Sequence, residues 1–95
     1  MADREAYVQK IKAKIDELDA KIDQLEARVR SAGADMKVKY DDQIAEIRGR
    51  RDKARQKLQT AKEASGGAWK EMKEGVDKAV DALKEAYERA KKHFE

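Results

Sequence analysis

The residues able to do chemistry are few, and their spacing works against them. Glu88 and His93 come nearest to a metal-binding pair. Metal-carrying helical bundles use a Glu-x-x-His spacing, which keeps both ligands on one face, whereas a separation of five puts them on different faces. Asp41 and Asp42 are adjacent, and adjacent side chains on a helix diverge by about 100°, so they share no cation. With no cysteine and one histidine, thiol chemistry, disulfides and a conventional zinc site are all excluded. Gly66-Gly67 lacks both the lysine spacing and the preceding strand of a phosphate-binding loop. Catalysis also needs a pocket that shifts pKa values, and narrow seams of Ile, Leu, Val and Ala leave none. The expectation is a non-enzymatic protein with no cofactor and no metal, in which His93 is a solvated cap near the end of a helix.

Periodicity supplies the elements. From Val8 the apolar positions run Ile11, Ile15, Leu18, Ile22, Leu25, Val29, Ala32 and Met36, in alternating steps of three and four with charged residues or Gln almost everywhere between. That is a coiled-coil seam. An extra step of four enters at Tyr40 and Ile44, a stutter that locally unwinds a supercoil without breaking the helix. The seam continues through Ile47, Arg51, Ala54, Leu58 and Ala61, thinner and with an arginine inside it. Ser65-Gly66-Gly67 is the strongest breaker in the chain, so Gly66 and Gly67 are expected to form a hinge. A third amphipathic pattern then runs Trp69, Met72, Val76, Val80, Leu83, Tyr87, Ala90 and Phe94. The fold class is all-α: long amphipathic helices in an antiparallel coiled coil or helical bundle, one domain over 1–95.

Composition agrees. Of 95 residues 45% are charged, 5% are aromatic and none is proline, against about 25% charged in ordinary domains. The net charge is +3. Residues 1–32 and 65–95 each hold seven residues of either sign, while 33–64 hold nine positive and six negative. Six cations crowd into 48–57, a weak nucleic-acid signal because they scatter around the helix instead of forming one stripe. The start of the chain carries no apolar run, which reads as cytoplasmic. Lys73, Lys84 and Lys91 share one flank of the third segment, so 68–94 could lie in a lipid interface with its lysines snorkelling, the alternative to covering the second segment.

Two architectures fit the seam. Ser31-Ala32-Gly33-Ala34-Asp35 is either a turn, giving a monomeric three-helix bundle, or the middle of a straight helix over about 3–64. The straight form leaves its first half unpartnered and requires a domain-swapped homodimer. Because the apolar steps pass through Ala32 and Met36 without a gap, the straight helix, the turn at 65–67 and the homodimer are favoured; another helical protein is the alternative partner. Antiparallel pairing about residue 33 sets Arg48 against Asp19 and Arg51 against Asp16, and pairing about residue 66 brings Arg55 and Arg51 near Asp77 and Asp81. Arg51, inside the seam, is expected to hold a partly buried ion pair that fixes register.

Arg4-Glu5-Ala6-Tyr7-Val8, residues 11–25 with their alternating Lys and Asp, residues 40–58, and Glu63-Ala64-Ser65-Gly66-Gly67-Ala68-Trp69 followed by Lys73-Glu74-Gly75-Val76 together give the chain a likeness. It resembles a group of short bacterial coiled-coil proteins associated with stress responses. The resemblance implies a small cytoplasmic all-helical protein, possessing no catalytic residues, with a role in association under stress.

Overall fold

A computed structural model describes residues 2–94, with side chains from residue 3. Three helices follow one another: α1 over Ala2–Ser31, α2 over Ala34–Glu63 and α3 over Gly66–Phe94. They run up, down and up, in a bundle of 50 × 18 × 17 Å. About 30 residues at 1.5 Å rise span roughly 45 Å, so each helix traverses the whole long axis.

The helix over 3–64 expected from the unbroken apolar steps is absent. The chain turns at Ala32-Gly33 instead, and of the two architectures it is the three-helix bundle. Gly33 has φ 116 and ψ 168, a conformation open essentially to glycine alone. Its amide donates to the Arg30 carbonyl at 3.2 Å and its own carbonyl accepts from Lys37 N–H at 3.1 Å, closing one helix and opening the next. Ala32 is exposed in the turn; the apolar steps cross it because the two helices resume the same period on either side.

The second joint lies just before the expected place. Ala64 is extended (φ −68, ψ 150), and the Ser65 carbonyl accepts from Ala68 and Trp69 N–H at 3.1 and 3.0 Å. Gly66 and Gly67 form the first turn of α3, and neither takes a positive φ. Asp3 and Glu5 stand in the first turn of α1, and Lys91, Lys92 and His93 in the last turn of α3, each complementing the helix dipole.

Burying the seams builds one core. Ile11, Ile15, Leu18, Ile22, Leu25 and Val29 enter it from α1, Tyr40, Ile44, Ile47, Ala54, Leu58 and Ala61 from α2, and Val76, Val80, Leu83, Ala86, Tyr87 and Ala90 from α3. Val8, Met36, Trp69, Met72 and Phe94 pack half-buried at its ends. Ala54 and Ala61 on α2 are wholly buried, and α2–α3 is the most intimate pair while α1 and α3 approach least.

Candidate interaction surfaces

The side between α1 and α2 is closed by an ion-pair ladder. Arg48 reaches Asp23 at 3.0 Å and Glu26 at 3.3 Å; Arg51 grips Asp19; Arg55 reaches Asp16 at 3.2 Å and Asp19 at 3.5 Å. Arg48 and Arg51 each lie one helical turn from the partner that pairing about residue 33 assigned to them. Arg51 and Arg55 spend their charge on α1, away from Asp77 and Asp81. The Arg51 side chain is only 16% exposed and also holds Asp52 at 2.8 Å. The guanidinium hydrogen bond from Arg51 holds the Asp19 carboxyl below its ordinary 3.8, against the opposing effect of burial. The same bond raises Arg51 further above its usual value. Four of the six cations of 48–57 thus hold carboxylates, since Arg50 also pairs with Glu46 at 3.1 Å along α2.

At the end where α1 begins and α3 begins, polar and aromatic groups interlock. Tyr7 meets the Trp69 ring edge-on at 5.4 Å between centroids. The Tyr7 hydroxyl donates to an Asp77 carboxylate oxygen, with the Lys73 carbonyl at 3.2 Å. The Arg4 guanidinium lies 4.6 Å over Trp69 and donates to the Ala64 carbonyl at 2.7 Å, satisfying the C-terminus of α2. Burial, then the bond to Asp77, raises the Tyr7 pKa well above 10. At the opposite end Tyr40 meets Phe94 edge-on at 5.6 Å and Arg28 lies 5.3 Å over Phe94. These tethers carry no period in the sequence. Tyr7, Trp69 and Phe94 fall near helix ends, where such contacts can tie one helix to the next.

The apolar face of α3 lies in the core, Val76 and Leu83 wholly buried, so in the closed bundle it is not displayed to a lipid interface. Among the described residues no helix is long and apolar enough to cross a membrane, and no group of His, Cys, Asp and Glu is placed to hold a metal ion. Val38, 75% exposed, is the one large hydrophobic left outside among them, and isolated exposures of that kind are ordinary.

Residues 1–62 match the family of the vesicle transport v-SNARE protein N-terminus, and the chain belongs to that family. No curated protein and no solved structure matches it. The family is one of trafficking and not of catalysis. The match ends within the last turn of α2, so the α1–α2 hairpin carries the family likeness and α3 lies beyond it. The bacterial stress-protein resemblance is overturned: of the residues on which it rested, 4–8, 11–25 and 40–58 fall inside the vesicle-transport match, and only 63–69 and 73–76 lie beyond it. A charged heptad seam recurs in many helical families and does not tell one from another.

Proposed function

We propose that the chain is a non-catalytic interaction module of vesicle transport, which presents the outside of its bundle to another helical protein on the cytoplasmic side of the vesicle. The observation that carries this reading is the family match over the whole α1–α2 hairpin. The ion-pair ladder supports it by holding that hairpin in one register, so that a partner meets a preformed surface and not a chain still to be ordered. A second copy is not required to cover the seam, because α2 and α3 already cover α1. The partner is accordingly a different protein.

Photo-crosslinking of the intact protein in its own cells, with the captured chains identified by mass spectrometry, tests the reading. Recovery of helical proteins that reside on transport vesicles is expected. Recovery of nothing, or of soluble metabolic enzymes alone, would refute it.

A further inference from the structure

We propose that the side of the bundle between α1 and α3 docks on an anionic membrane surface through two facing rows of lysine. Two contacts define that side. Tyr7 touches Trp69 and Asp77 at one end, and Arg28 covers Phe94 at the other. Residues 7 and 28 are three heptads apart, so Lys14 and Lys21, at the intervening seven-residue steps, lie on the same line of α1. On α3 the line through Asp77 continues to Lys84 and Lys91, with Lys73 beside it over the Tyr7 ring at 5.0 Å. The rows extend for roughly 30 Å, at 1.5 Å per residue.

Five lysines thus line this side, Lys14 and Lys21 on α1 and Lys73, Lys84 and Lys91 on α3. Glu17 bridges to Lys21 at 3.5 Å, and Asp77 accepts from Tyr7. Among the described residues no acidic group stands within ion-pair distance of Lys14, Lys84 or Lys91. The contrast with the α1–α2 side is direct, since there every arginine facing α1 meets a carboxylate. Like charges in facing rows oppose the packing of α1 on α3, which is the loosest of the three helix pairs. Where α1 meets α2 the charges are matched, whereas here they conflict, and such conflicts mark surfaces kept for another purpose.

The occupant follows from the residues under this side. Ile11, Leu18, Val80 and Tyr87 beneath it are buried, so a partner helix finds no apolar groove to fill. Lipid headgroups need none, because juxtamembrane lysines are drawn to an anionic leaflet without insertion. The choice of a membrane over another polyanion rests on the vesicle-transport reading.

Co-sedimentation of the full chain with phosphatidylcholine vesicles containing about a third phosphatidylserine tests it. Binding should be strong at low salt, weaken as salt shortens the screening length, and be absent with phosphatidylcholine alone. Trp69 emission should not move, since nothing inserts. Each lysine neutralised should cost about fivefold in partition, so K14Q/K21Q and K84Q/K91Q should each lose about twentyfold or more. K53Q/K57Q, away from this side, should keep binding. Circular dichroism should show all three variants folded, the first two melting no lower than the parent because repulsion is relieved. The proposal is overturned by failure to bind anionic vesicles, by equal binding to neutral ones, or by equal loss in K53Q/K57Q. Tighter binding to duplex DNA or to an acidic helical peptide than to vesicles at the same salt also overturns it. Vesicle binding can fail while crosslinking still recovers vesicle-resident helical partners, so the two readings fall separately.

Discussion

Asp19 stands between Arg51 and Arg55, with Arg48 one turn away, and its carboxyl is held below the ordinary value chiefly by the Arg51 hydrogen bond. A group with a depressed folded pKa contributes stability that is present above its unfolded value and is lost as pH falls through the folded one. The bundle should therefore lose melting temperature as pH drops below about 4, and Asp19→Asn should flatten that loss. At neutral pH the same substitution should cost about 1–2 kcal/mol, because a guanidinium only 16% exposed keeps Asp52 but loses its inner partner. Chemical denaturation would read the difference; an unchanged midpoint would mean the ladder is decorative. Tyr7 behaves in the opposite sense. Its raised pKa contributes stability below 10, which is lost as pH climbs past that value. Tyr7→Phe should remove one late-ionising phenol from an absorbance titration and cost about 1 kcal/mol from the lost bond to Asp77.

Between helices, the glycines separate into two kinds. Gly33 holds a backbone conformation that side-chain-bearing residues rarely take, so Gly33→Ala should destabilise by about 1–2 kcal/mol. Gly66 and Gly67 are helical with open space around them. Alanine at either should stabilise by about 0.5–1 kcal/mol, by narrowing the unfolded ensemble. Thermal melts of the three single variants check the pattern, and a loss at Gly66 would show that the second joint needs freedom that its helical backbone does not reveal. Breaker strength in sequence counts glycines, whereas the fold uses one where φ must be positive. That is why the isolated Gly33 makes a turn and the paired glycines begin a helix.

At the scale of the molecule, the turn at Gly33 decides between a bundle closed within one chain and a swapped pair of chains, since the same seam can be buried either way. Light scattering should give a mass near 10.8 kDa across a wide concentration range. Gly33→Ala, which makes the turn costly and the straight helix cheap, should populate a species of twice that mass. If the parent chain itself doubles in mass, the closed bundle is not the solution form.

Much of this was open to reading in the chain. Steps of three and four among Ile, Leu and Val dictate helices with one apolar face, because only a period near 3.6 gathers those positions on one side. They placed in advance most of the residues that line the core, from Ile11 to Ala90. They also singled out Arg51 for a partly buried ion pair. What periodicity cannot convey is where a helix folds back, because two helices in the same register look like one. Nor can it set axial offset, which between α1 and α2 the ion-pair ladder settles. The tethers of Tyr7, Arg4 and Trp69, and the facing of two lysine rows, join positions sixty or more residues apart. Only the closed tertiary arrangement brings them together, since their energies depend on distances that no local pattern encodes.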